Sequence, residues 1–90
     1  MTLEREFRLT NKKGLHARAS ARFVQTVQQF DAEVKVKRGE ETAGGDSIMS
    51  LLMLAAPVGS LITVSASGND AEAALDAIEK LLSDRFGEEE

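Results

Sequence analysis

The chain has a single histidine, His16, in the run Gly14-Leu15-His16-Ala17-Arg18-Ala19-Ser20, where a glycine loop gives way to an amphipathic segment. The chemistry that suits this setting is the binding and transfer of a phosphoryl group. The first turn of a helix leaves backbone N–H groups without partners and carries partial positive charge, so an anion is favoured there. The amides that follow His16, beginning with Ala17, are candidate phosphate donors. Arg18, two residues on, offers a fork of N–H groups to the same oxygens. A neutral imidazole presents one nucleophilic nitrogen, and phosphoryl transfer asks the protein mainly for positioning and charge stabilisation. On pattern alone, a lone histidine at a helix start is more often a polar surface residue, which is the reading this chemistry must displace.

Charge is placed to suit an anion. Lys12, Lys13, Arg18 and Arg22 fall close together, with no carboxylate between Arg8 and Asp31. Arg22 repeats the charge of Arg18 one turn later, which disfavours an isolated helix slightly and would be relieved by an acidic partner. The acid that gives a net charge of −4 gathers toward the other end, in Glu72, Asp76, Glu79, Asp84 and Glu88-Glu89-Glu90. Nucleic acid is therefore not an expected partner. With one histidine and no cysteine, neither a metal site nor a disulfide framework is expected, and no cofactor is implied. The start of the chain lacks the apolar core of a signal peptide and no later run is long enough to span a bilayer, so the expectation is a cytoplasmic protein without membrane insertion.

The elements that must hold His16 follow from periodicity. Leu3, Phe7 and Leu9 alternate with charged residues, with Arg5 the odd member of the inward row, and predict a first strand. From about His16 the period becomes helical, with Ser20, Phe23, Val24, Val27 and Phe30 on one face and Arg18, Arg22, Gln25 and Gln29 on the other. Ala32, Val34 and Val36 predict a second strand, Glu41 to Ala43 a short return, Ser47 to Ala55 a short helix, and Leu61 to Ser67 a strand with Ile62, Val64 and Ala66 inward. The last helix begins at Asn69 or Asp70, either of which caps it. Its stripe is Ala71, Ala74, Leu75, Ile78, Leu81, Leu82 and Phe86, and it frays near Gly87. The order β-α-β-β-α-β-α, with one apolar face per strand, predicts an α+β fold. It is an open-faced two-layer β-sandwich, a four-stranded antiparallel sheet with three helices on one face, in a single domain over residues 1–90.

Gly14-Leu15-His16-Ala17-Arg18, preceded by Thr10-Asn11-Lys12-Lys13, resembles the phosphorylation-site signature of the HPr family, the histidine-containing phosphocarriers of the phosphotransferase system. The likeness continues through Phe30-Asp31-Ala32-Glu33-Val34, Ser47 to Leu54 and the closing Gly68-to-Phe86 segment, and so covers nearly the whole chain. The resemblance implies that His16 accepts the phosphoryl group as a phosphohistidine and that Arg18 is its main side-chain helper. It implies a carrier rather than an enzyme, loaded by enzyme I and unloaded by a downstream EIIA-type acceptor domain in sugar uptake or regulation. Where the family signature usually has proline, this chain has Ala19-Ser20, which leaves the helix start less rigid. That departure and the Asp84-Arg85-Phe86-Gly87-Glu88 ending are similar to the branch linked to nitrogen regulation.

The short middle helix is too apolar to bury all its side chains. Its inward seam is either Ile48, Leu51, Leu52 and Ala55, or Leu51, Leu54, Ala55 and Val58, and both turn Met49 and Met53 to solvent. The resemblance favours the second seam and adds Ile48 and Leu52 to a partner-binding surface with Met49, Met53 and Arg22. Ser47 is well suited to cap this helix. By resemblance it is also the family's regulatory serine, open to an HPr kinase/phosphorylase in hosts that have one. A monomer is expected. The rival from another class is a regulatory binding module acting through the apolar surface of helix 2, whose effect would survive replacement of His16 by alanine. A small metabolite-binding domain is the third reading, and it lacks a glycine-rich nucleotide motif.

Overall fold

The computed structural model describes residues 2–88. Four strands, β1 (Thr2–Arg8), β2 (Glu33–Arg38), β3 (Glu41–Gly44) and β4 (Leu61–Ser67), form one antiparallel sheet in the order β1-β4-β2-β3. Three helices, α1 (Ala17–Val27), α2 (Ile48–Met53) and α3 (Ala71–Ser83), cover one face, and a 3₁₀ turn at Arg85–Gly87 follows α3. The expected element order and open-faced sandwich are present. Placing β4 at the centre sets Val64 opposite Arg5 on one side and Val36 on the other. Ile62, Val64, Ala66, Val34 and Val36 then line one buried face, while Glu4, Glu6, Lys35 and Lys37 keep the other in water.

The core closes between that face and the apolar stripes of α1 and α3. Phe23, Leu75, Ile78 and Phe86 are all at 1% exposure or less, each contributing roughly 1.5–3 kcal/mol by leaving water. Arg5 does occupy the inward row of β1, but at the sheet edge. Its guanidinium swings out to Asp76 (2.8 Å) and Glu79 (3.2 Å) on α3, so a charge there costs no core contact.

Three local expectations need correction. Neither Asn69 nor Asp70 caps α3 through its side chain. The Asp70 carboxylate instead accepts from the Asp31 amide (2.8 Å), and the Asn69 amide donates to Asp31 Oδ2 (3.0 Å), tying the loop before β2 to the start of α3. Helix α2 is shorter than the Ser47–Ala55 reading, because Ala55 turns to a left-handed φ of 49° ahead of Pro57. Its seam is a truncated form of the second alternative. Leu51 and Leu54 are buried, Ala55 and Val58 are exposed, and Ala56 takes the inward place.

The third correction matters most for the site. Helix α3 does not fray at Gly87. Arg85, Phe86 and Gly87 adopt φ of 51°, 57° and 78°, a left-handed run that reverses the chain. Two of the three are not glycine, a conformation that needs compensation. Burial of Phe86 at 1% exposure supplies it, and bonds from Gly87 N to Asp84 O (2.8 Å) and Glu88 N to Arg85 O (2.9 Å) close the turn. The turn carries Glu88 toward the start of α1. Glu89 and Glu90 lie outside the described residues.

Candidate functional site

The segment between β1 and α1 is shaped to present His16. Gly14 has a left-handed φ of 62°, and a Cβ there would collide with the Ala56 carbonyl and Pro57, so only glycine fits against the loop after α2. Leu15 is buried and its amide donates to Ala56 O (2.9 Å), fixing the residue before the histidine. His16 is then the N-cap of α1, with extended backbone at φ −79° and ψ −178°. Its carbonyl accepts from Ser20 N (2.9 Å), and its Nδ1 accepts from the Arg18 amide (3.3 Å). A cap must accept, so Nδ1 carries a lone pair aimed into the first turn.

The other ring nitrogen, Nε2, faces Oε2 of Glu88. That carboxylate is 14% exposed against 25% for the imidazole. Its second oxygen accepts from Asn11 Nδ2 (3.0 Å), and the same amide group donates to Gly14 O (2.7 Å). Asn11 is fully buried and its Oδ1 has no protein partner. Partial burial would raise the Glu88 carboxyl; hydrogen bonds from His16 and Asn11, with the nearby charge of Lys13, outweigh it and hold the group below the usual carboxylate range. The region from Arg8 to Asp31, empty of acid in sequence, thus receives its carboxylate from the far end of the chain.

Arg18 is exposed, and among the described residues no hydrogen bond or ion pair engages its guanidinium. With Lys12, Lys13, His16, Ala17 and the Gly87–Glu88 turn it lines an open groove of about 570 Å³. Arg22, grouped with it by sequence, is placed differently. It is half-buried and donates from Nη1 to the Phe86 carbonyl, holding the reversed C-terminal segment against α1. Among the described residues no three histidine, cysteine or carboxylate side chains stand close enough to hold a metal ion.

A second polar helix start lies at α2. Ser47 is its N-cap, Oγ accepting from Ser50 N (3.2 Å). Beside it, Ile48, Met49 and Met53 are 41%, 68% and 71% exposed, and Leu52 is half-buried. Two residues of the site escape sequence reasoning. Glu88 reads as one more solvated charge in an acidic run, and Asn11 as a loop residue. The available signal was the cationic stretch that lacks any carboxylate of its own.

Residues 3–84 match the family model described as the PTS HPr component phosphorylation site. The chain is 43% identical over 88 residues to phosphocarrier protein HPr of Cupriavidus necator, covering 98% of this chain and 99% of that protein. It is 44% identical over 86 residues to phosphocarrier protein NPr of Shewanella violacea, covering 96% and 94%. A crystal structure of HPr from Thermoanaerobacter tengcongensis superposes with a TM-score of 0.93 at 36% identity, covering 98% of this chain and 99% of that one. No helix of the described residues is long and apolar enough to cross a membrane. Sequence, architecture and the histidine-capped helix start agree: the chain belongs to the HPr family of phosphocarrier proteins, which carry phosphoryl groups in the phosphotransferase system without being catalysts themselves.

Proposed function

We propose that His16 is the phosphoryl acceptor, and that Nδ1 is the atom that forms the bond. The observation that carries this reading is the division of labour between the ring nitrogens: Nε2 faces Glu88, while Nδ1 points its lone pair at the Arg18 amide. In-line attack by Nδ1 places the incoming phosphorus beside the first-turn amides of Ala17 and Arg18, at the positive end of α1. The exposed Arg18 guanidinium lines the same groove and supplies charged donors for those oxygens. The N–P bond forms as the donor's bond to phosphorus breaks, and the Nε2 proton stays on the ring. Return of the electron pair to Nδ1 releases the phosphoryl group to an acceptor.

Enzyme I is the donor in this reading and an EIIA-type domain the acceptor. The exposed Ile48, Met49 and Met53 side chains, with the half-buried Leu52, lie next in sequence to a second capped helix start and supply an apolar docking face. Ser47 is the position for regulatory phosphorylation by an HPr kinase/phosphorylase, where two added charges beside that face would weaken acidic partners. The whole chain acts as one phosphocarrier domain, working in the cytoplasm. The test is incubation with enzyme I and labelled phosphoenolpyruvate. One acid-labile, alkali-stable label per chain is expected, absent from His16→Ala; retention of label by that variant overturns the assignment.

A further inference from the structure

The Glu88 carboxylate is the feature that the carrier chemistry above leaves unused. It is carried to His16 by a strained, left-handed turn, anchored by a buried Phe86 and held by Arg22 on the Phe86 carbonyl. Asn11, fully buried, bridges it to the Gly14 carbonyl of the loop that presents the histidine. A solvated terminal charge needs none of these fixtures. They place a carboxylate on the side of the imidazole opposite the reacting nitrogen.

We propose that Glu88 is a positioning residue for phosphoryl transfer: it keeps the proton on Nε2, so that Nδ1 keeps its lone pair and attacks phosphorus as the Arg18 amide lets go of it, and it stabilises the positive ring that exists while phosphorus is bound. This inference rests on His16 being the acceptor. Attack by the neutral ring moves its Nδ1 electron pair to phosphorus, leaving a cationic ring that bears the Nε2 proton. A carboxylate on that proton favours the cation. When the phosphoryl group departs, the retained proton makes the leaving group a neutral imidazole rather than an imidazolate. Lys13 and Arg18 face the same groove and oppose ring charge, which makes a local carboxylate the more necessary.

Two readouts separate this role from mere packing of the chain end. In proton NMR of the unmodified protein, the Nε2–H of His16 gives a downfield resonance protected from exchange; Glu88→Gln keeps it at a less downfield position, and Glu88→Ala loses it to water. With phosphoramidate as a donor that needs no docking partner, breaking its P–N bond with release of ammonia, His16 is phosphorylated roughly tenfold more slowly in Glu88→Ala. Glu88→Gln is slowed comparably, because it keeps the hydrogen bond but not the charge. An identical Nε2–H signal in wild type and Glu88→Ala overturns the proposal, as does a rate within twofold for both variants. Absence of phosphorylation at His16 in the wild type overturns the acceptor assignment instead, and the resonance still decides whether Glu88 holds the Nε2 proton.

Discussion

Helices α1 and α2 begin in the same way, with a side chain accepting a hydrogen bond from an amide of the first turn, yet their surroundings differ. At α2, Ser47 Oγ takes the Ser50 amide and the cap is complete. At α1, the acceptor is Nδ1 of a ring that has a second nitrogen, and that nitrogen is met by Glu88, which in turn is held by Asn11. The cap of α2 is a lone hydroxyl, whereas the cap of α1 belongs to a ring with a second nitrogen that has a partner of its own. The difference is in what surrounds the cap. Lys13 and the exposed Arg18 flank His16, while Asp46 precedes Ser47 and the apolar Met49 and Met53 follow it. The first start gathers positive charge, and the second is bordered by exposed apolar side chains.

The comparison breaks most visibly at Arg18. Arg18→Ala should lower the rate of His16 phosphorylation by about ten- to a hundredfold, the effect of losing a charged hydrogen-bond donor from the transferring oxygens, with folding stability within about 0.5 kcal/mol. Equal rates in the variant and the parent, measured by rapid quench with labelled donor, would remove the guanidinium from the chemistry. The next effect belongs to the other helix. Met53→Asp should raise the KM for partner-dependent transfer roughly tenfold while phosphorylation by a small-molecule donor is unchanged. If both donors are affected alike, α2 is not a docking face.

The smallest effect sharpens the contrast between the two caps. Ser47→Ala should cost about 1 kcal/mol in urea denaturation, the usual loss of a serine cap, and leave the transfer rate from the small-molecule donor within twofold. A large loss of transfer in that variant would mean that the two helix starts are not separate in function.

The same contrast shows what could be read from the residues alone. Periodicity in Leu3 to Leu9, Val34 to Val36, Ile62 to Ala66 and the stripe of α3 specified the layers, because burying one face of each element leaves little freedom of arrangement. His16 and Ser47 were legible as helix starts for the same reason, since loop-to-helix junctions have strong local chemistry. Glu88 was not. Its meeting with His16 joins residues 72 apart in the chain and depends on a reversal at Arg85–Gly87 in which two residues take a conformation their types disfavour. No local signal announces such a turn; it exists because Phe86 gains a place in the core. Arg22 was misleading in the opposite sense. It shares the cationic run with Arg18, but a nearby carbonyl, invisible in sequence, engages it.

Everything turns on which ring nitrogen takes the phosphoryl group. Phosphorylating uniformly ¹⁵N-labelled protein with enzyme I and phosphoenolpyruvate, then measuring the phosphorus–nitrogen coupling of His16 by NMR, addresses that point directly. Coupling to Nδ1, with a proton remaining on Nε2, is the predicted result. Coupling to Nε2 would contradict it, since that nitrogen could react only after leaving Glu88 and turning away from the start of α1.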